Sequence, residues 1–470
     1  MDSANHIRRT TGAGPRPMAG PATAGPAQHM GFPRHQAASG AVATASSGAL
    51  LALFMATIVT PMAFDVGGLR LDLFRLYVML ALLPCLILLA TNRKGPFVIS
   101  DLFMVAFGLL VVATIFAHEG TAKLAYASIS GIEYVGGYLV GRVLIRNAGD
   151  YRTFIRYFVI ALAILTPFAL IENVTDNNIL ADLFPKPDDA GPPDQNEKRL
   201  GLYRATSVFP HPILFGVFSS IAVANVYYIY RGRLMRLLPR LGIVLVALFS
   251  SLSSAPYLAA GVQGLLILWD KIMRGRWYLL LGIVAFVFVF LSLASNRGPI
   301  IIFIETLTLN PRTAWWRVHI WNFGLQNVLE NPIFGLGLGD WKRPAWLAET
   351  VDNFWLLMAM RHGIPGFAMV AIAILLHIVA IVRTRIENPD IRVVRTAYTV
   401  GLVGMIFTLC TVHVWASMAV FVMFYIGAGS FIYTDPGVTA PVAGATPPAS
   451  AAPSRTGLAF SRFSTEHRRR

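Results

Sequence analysis

Long apolar runs separated by short polar segments organise this chain. The runs lie at roughly 46–64, 73–90, 97–117, 124–145, 153–171, 207–230, 241–253, 256–269, 277–294, 354–382, 397–413 and 415–433. A helix needs about 17–25 apolar residues to cross ~30 Å of hydrocarbon with every backbone group bonded internally, and most of these runs reach that length. They are continuous and do not alternate, which excludes a membrane β-barrel. The pattern predicts an all-α, polytopic integral membrane protein with about 12 transmembrane helices. The pair between 241 and 269 is the shortest, and its junction Ser253-Ser254-Ala255-Pro256 marks either a break between two spans or a re-entrant corner.

The polar positions set the orientation. Basic residues fall in alternate loops: Arg93 and Lys94; Arg146 and Arg152; Arg231, Arg233, Arg236 and Arg240; Lys271, Arg274 and Arg276; Arg383, Arg385, Arg392 and Arg395. All lie on the side of both tails, which the positive-inside rule makes cytoplasmic. Residues 1–45, rich in Gly, Pro, Ala and Ser, and residues 434–470, ending in Arg468-Arg469-Arg470, are expected to be disordered cytoplasmic tails. A transmembrane catalytic domain then occupies 46–433. Two longer hydrophilic loops, about 172–206 and 295–352, land on the periplasmic or extracellular side, where the chemistry is expected.

Composition agrees. The 470 residues are 55% hydrophobic and 13% charged, with a mean hydropathy of +0.60, whereas soluble domains carry roughly a quarter charged residues. The net charge of +15 sits in the inner loops and tails, so it implies no nucleic acid. The two cysteines, Cys85 and Cys410, lie in apolar runs and imply no disulfide framework. Glu133, His377 and His413 are ionisable groups inside apolar runs. Such groups are functional hypotheses by default, although Glu133 sits among small residues where a packing partner could bond it. Trp315, Trp316, Trp341 and Trp346 read as interface-belt residues, with sugar stacking open to one of them.

The outer loops hold the distinctive residues. Arg317-Val318-His319-Ile320-Trp321 is followed by the turn Asn331-Pro332-Ile333-Phe334-Gly335-Leu336-Gly337-Leu338-Gly339, then by Asp352-Asn353 and, nine residues on, Gly363-Ile364-Pro365-Gly366. Arg204-Ala205-Thr206-Ser207-Val208-Phe209-Pro210-His211-Pro212 stands at the mouth of the sixth run. Singly each has a bland reading: a shaped turn, a snorkelling arginine, or an N-cap, since Asp352 stands just before the run from Phe354. In this order they resemble the O-antigen ligase and Wzy-type polysaccharide polymerase superfamily. The chain departs from that pattern in three places. Ser207 stands where the family usually has Gly, Ser254-Ala255-Pro256 where members often carry Ser-Arg-Gly, and Asp352-Asn353 where ligases have His-Asn.

The resemblance implies a bacterial inner-membrane glycosyltransferase that takes glycan from an undecaprenyl-pyrophosphate donor and joins it to an acceptor glycan. Other polysaccharide assembly and export proteins would be its neighbours in the bilayer. It implies that Arg204 and Arg317 hold pyrophosphate, because guanidinium binds phosphate oxygens bidentately. Asp352 would assist the acceptor hydroxyl. Arg312, His211, His319, Asn353 and Trp321 are further candidates for binding donor or acceptor. No Asp-x-Asp pair or His/Cys cluster at ligand spacing occurs, so neither metal nor cofactor is expected. Asp352 tilts the reading towards a polymerase, with a ligase or a lipid-linked sugar transporter as alternatives.

Overall fold

The computed structural model describes residues 34–66, 69–93, 95–184, 198–296, 302 and 311–439. The chain divides into two compact units, 1–43 and 44–470. Of the tails expected at 1–45 and 434–470, all but 34–45 and 434–439 lie outside the described residues. Helices dominate: α1 (Arg34–Val59), α2 (Leu73–Ala90), α3 (Ile99–Glu119), α4 (Leu124–Leu144), α5 (Ala148–Thr175), α6 (Ile179–Leu183), α7 (Pro212–Tyr230) and α8 (Leu234–Ser250). Then come α9 (Ser254–Met273), α10 (Trp277–Ala294), α11 (Pro311–Glu330), α12 (Phe354–Arg383), α13 (Pro389–Leu409), α14 (Ser417–Ala428) and α15 (Phe431–Thr434). One small departure from an all-helical chain is an antiparallel hairpin of β1 (Ala63–Val66) and β2 (Leu69–Asp72), in register Ala63↔Asp72.

Every apolar run expected from the sequence contains helix. By length and apolarity, eight described helical stretches could cross a membrane; one of them, Ile99–Leu144, contains both α3 and α4. The pair at 241–269 resolves into α8 and α9, separated at 251–253, where Leu252 takes a left-handed φ of 43°. The outer loop 295–352 is not all loop, because α11 occupies its middle. The loop 172–206 likewise receives the end of α5 and all of α6.

Packing follows side-chain size. α14 lies against α4 where Gly137 faces the backbone of Val420: a Cβ on Gly137 would stand 2.6 Å from the Val420 carbonyl oxygen. Small residues let helix backbones approach this closely in lipid. α10, by contrast, buries no residue, and Leu281, Phe286 and Leu293 stand exposed along it. An apolar helix with no buried face is suited to lipid as solvent.

Two ionisable groups in the spans are explained by partners. His377 is fully buried and bridges the Tyr433 hydroxyl at Nδ1 (2.9 Å) and the Tyr398 hydroxyl at Nε2 (2.7 Å). Glu133 Oε1 accepts from Arg75 Nε at 2.6 Å. Trp341, read from the sequence as a belt residue, is instead buried and donates its indole N–H to the Glu349 carbonyl at 2.9 Å.

Candidate functional site

A cavity of about 1200 Å³ opens among the ends of α1, α3 and α5 and the starts of α2, α4, α7 and α14. Its wall carries four arginines, Arg70, Arg75, Arg204 and Arg361, together with His211 and His413. These helix ends are those opposite the basic turns, the side where the sequence places the chemistry.

The segment 198–211 is bound at many points along one wall. Glu172, at the end of α5 and almost fully buried, accepts hydrogen bonds from the Thr206 N–H (2.8 Å), the Thr206 hydroxyl (2.7 Å) and the Ser207 N–H (2.9 Å). Asn173 Nδ2 donates to the carbonyls of Tyr203 and Ser250, at 2.6 and 2.8 Å. Asn178 Nδ2 donates to Thr206 Oγ1 and to the Ser207 carbonyl, both at 2.7 Å. Arg204 is held from the far side, its NH2 donating to Ser253 Oγ at 2.8 Å in the α8–α9 corner. His211 is the N-cap of α7, its Nδ1 accepting from the Ile213 N–H at 3.1 Å, with Pro212 at the first helical position.

Ser207 has φ +55°, the left-handed region in which a Cβ is unfavourable by roughly 1–2 kcal/mol. That is the physical reason a glycine suits this position. Ser207→Gly is therefore expected to leave the melting temperature unchanged or raised, and Ser207→Val to lower it. A Ser207→Gly protein that melts well below wild type would show that the side chain, and not the backbone, dictates the residue.

On another wall the glycine-rich turn and α12 form one unit. α12 breaks at Gly363, whose φ is +68°, and Pro365 just beyond it has no N–H to donate. The carbonyls this leaves exposed are taken by the turn: Leu336 N–H donates to Met360 O (2.7 Å) and Gly337 N–H to Arg361 O (3.0 Å). In return the Ile364 N–H donates to Pro332 O at 2.7 Å. A Cβ at Gly335 would lie 2.5 Å from the Arg361 carbonyl carbon, so the turn fits only without one. The spacing between the GxGxG turn and the GxxG thus encodes a plugged helix break. The break fixes Arg361 and His362 at the cavity wall, His362 Nδ1 lying 2.7 Å from the Thr114 hydroxyl.

The four arginines are not equivalent. Arg75 pairs with Glu133 and with Asp72 (2.7 Å), and Arg70 also reaches Asp72 at 3.6 Å. The Arg361 guanidinium makes no hydrogen bond or ion pair among the described residues, though it lies half-buried. Beside it, His413 keeps a buried Nδ1 without a partner among the described residues. Trp415 lies between the two histidines, 5.8 Å from the His413 ring and 6.0 Å from the His211 ring. A cation and an imidazole nitrogen without partners among the described residues share one hollow with an indole face, and such unmet polar groups are where a ligand would bond.

Of the residues singled out from the sequence, Arg204 and His211 line this cavity, whereas Arg317, His319, Trp321, Asp352 and Asn353 do not. Arg317 and Asp352 lie close enough to interact electrostatically. Desolvation pushes Asp352 above the usual 3.8, against the lowering pull of Arg317. The side chain still reaches water, which screens both influences. Burial likewise lowers Arg317 from its usual value. The α12 N-cap is Asn353, whose Oδ1 accepts from the Leu356 N–H at 3.0 Å, and not Asp352. His319 stacks among Trp315, Phe323 and Trp346, 4.1 Å from the Trp315 ring. Trp321 packs half-buried against the core. Arg312 falls in the first turn of α11, outside the side chains described.

Arg75, Arg361 and Trp415 were not singled out beforehand. Arg361 was visible as the residue before His362-Gly363, but a single helix over 354–382 gave it no cavity to face.

Residues 241–371 match the family model described as O-antigen ligase. Over those residues the chain is similar to the O-antigen ligase and Wzy-type superfamily, as the ordered motifs indicated. The matched segment contains α10, α11, the glycine-rich turn, Arg317, Asp352 and Arg361, while Arg204 and His211 precede it. No curated protein matches the chain.

Proposed function

We propose that the protein is a membrane glycosyltransferase that transfers or polymerises glycan repeat units from an undecaprenyl-pyrophosphate donor onto an acceptor glycan, without metal or cofactor. The observation that carries this reading is Arg361, an unpaired half-buried cation, sharing the cavity with Arg204 inside a chain that matches the O-antigen ligase family. In the reaction the acceptor hydroxyl loses its proton and attacks the anomeric carbon. The bond from that carbon to the pyrophosphate oxygen breaks, and pyrophosphate leaves on the lipid as an anion. Arginines placed where that charge develops stabilise it most. Arg204 and Arg361, on the cavity wall, are assigned this work; Arg317 and Asp352, close to each other but off that wall, are assigned a further pyrophosphate contact and the acceptance of the proton on the motif resemblance alone.

The polymerase is favoured over ligation to lipid A-core because an aspartate stands where ligases have histidine. The proposed setting is the inner membrane, with twelve spans, both tails cytoplasmic and the cavity on the outer face. A transporter would use a broken helix to present open carbonyls to an ion. The break in α12 is instead closed by the Leu336 and Gly337 N–H groups.

The test is glycan chain length and lipid attachment in a deletion strain complemented with Arg204→Ala, Arg317→Ala or Asp352→Asn at equal protein level. Single repeat units accumulating on the carrier indicate a polymerase, and long unligated polymer a ligase. Normal glycan from all three variants would remove the reading.

The rate should also depend on pH. Only ionised Asp352 accepts a proton, and burial raises its pKa, so transfer should rise with pH through a value above the usual aspartate 3.8. The sign for stability is opposite. The fold favours protonated Asp352, so that contribution is present below the unfolded value and is lost as pH rises through the folded one. Asp352→Asn should abolish the acid limb of the rate profile; an identical limb in that variant would assign it to another group.

A further inference from the structure

The end of α5 and the start of α7 reach the large cavity; the opposite ends of the two helices frame a second hollow, a groove of about 440 Å³. Arg152 and Arg156 enter it from α5, and Arg233 and Arg236 from the α7–α8 turn and the start of α8, over Ile229 and Tyr230. Among the described residues no acidic one lines it. Of the nearby acids, Asp150 is engaged by Arg146 at 3.9 Å and Asp270 by Arg231 at 4.0 Å, while Asp390 meets Arg152 through its backbone carbonyl and not its carboxylate. None of the four groove arginines makes an ion pair among the described residues; Arg152 NH2 reaches only as far as the Asp390 backbone carbonyl, at 3.3 Å.

A basic bias of the inner loops accounts for arginines at this end of the molecule. It does not account for four of them, from two separate elements, converging on one hollow, since like charges this close repel. An anion between them adds attractions that offset that repulsion. The neighbouring side chains say which anion. α8 carries Leu234, Met235 and Leu238 at 65, 89 and 63% exposure on the same two turns as Arg233 and Arg236. Apolar side chains that open to the surroundings beside guanidinium groups suit acyl chains below a headgroup.

We propose that this groove binds an anionic phospholipid, its phosphodiester held by Arg152, Arg156, Arg233 and Arg236 and its acyl chains laid along Leu234, Met235 and Leu238. Basic pockets between transmembrane helices recognise such headgroups. A free phosphate shares the charge but makes no use of the exposed α8 face. The site is independent of the glycan chemistry at the opposite end.

The experiment uses the full-length protein in nanodiscs of phosphatidylcholine doped with either cardiolipin or phosphatidylglycerol, reading the anionic lipid that remains bound after extraction by native mass spectrometry. Wild type should retain anionic lipid over phosphatidylcholine. Each Arg→Gln change in the groove should weaken retention about fivefold, the equivalent of ~1 kcal/mol per arginine at the surface. Leu234→Ser with Met235→Ser should weaken it while leaving the charge intact. Neutralising Lys271, Arg274 and Arg276, basic residues outside the groove, should leave retention unchanged, and inorganic phosphate should not displace the lipid.

Equal loss in the Lys271/Arg274/Arg276 variant would reduce the effect to general surface charge and overturn the proposal. Displacement by millimolar inorganic phosphate, or indifference to the two serine substitutions, would make the groove a plain anion site and overturn it equally. Circular dichroism and gel filtration of each variant exclude misfolding as the cause of a loss.

Discussion

Arg204→Ala and Arg361→Ala are each expected to slow glycan transfer by about 100- to 1000-fold, the usual effect of deleting one donor that stabilises charge as it develops in a transition state. Arg204 is presented by a loop anchored on Glu172, and Arg361 by the plugged break in α12. The two side chains reach the same cavity from different walls. Under the proposed function, the half-buried Arg361 cation, unpaired among the described residues, would meet the pyrophosphate anion of the donor. Lysine at either position should restore part of the rate, because it keeps the charge and loses the bidentate geometry.

Arg75 supplies the contrast. It lines the same cavity but is already paired with Glu133 and Asp72. Arg75→Ala should therefore act first on folded yield, through the half-buried Glu133 carboxylate it abandons. The check is the initial rate of repeat-unit transfer in membranes matched for protein. Wild-type rates from both Arg204→Ala and Arg361→Ala would end the assignment of this cavity as the donor site.

The second large effect concerns the opposite end of the molecule. Asp101→Ala should lower stability by about 3–5 kcal/mol, the loss that follows when one partner of a buried ion pair is removed. Asp101 is fully buried and Arg142 is 1% exposed. Asp101 Oδ1 accepts from Arg142 Nε at 3.3 Å and from the Tyr138 hydroxyl at 2.6 Å, while Oδ2 accepts from the Val98 N–H at 3.0 Å. Arg142 also donates to the Pro96 carbonyl at 2.7 Å. Removing the carboxylate leaves a buried guanidinium without its counter-charge.

Distance alone would rank the pairs wrongly. Lys342 and Glu330 stand closer, at 2.6 Å, but are 79 and 50% exposed. Water screens such a pair to roughly 0–1 kcal/mol. Thermal unfolding in detergent, followed by tryptophan fluorescence, should separate Asp101→Ala from Lys342→Ala by many degrees; equal melting temperatures would refute the argument from burial.

The sequence by itself determined the solvent, the element type and which outer segments carry the motifs. Apolar runs of membrane-spanning length must satisfy their backbone internally, and that requirement is local, so each expected run contains helix. Ser207 was noted in the sequence only as a departure from the motif it resembles; its left-handed φ of +55° came from the structure. The residues matched to the O-antigen ligase family include the turn and the GxxG that were read as its signature.

Only the tertiary structure decided how these pieces meet. The glycine-rich turn and Gly363 are 24 or more residues apart, and nothing local says that the one fills the break in the other. Once it does, Arg361 turns from a residue within an apolar run into a cavity-lining cation. Glu133 and its partner Arg75 are 58 residues apart, and His413 reaches the cavity only because α13 ends at Leu409 and α14 starts at Ser417. Asp352, a preferred cap by type, lost that place to Asn353 because the helix begins one residue later than its charge suggests. Periodicity and propensity act within a helix turn, whereas a site in a helical membrane protein is assembled from the ends of many helices. The chain alone therefore supplied the candidates, and long-range packing chose among them.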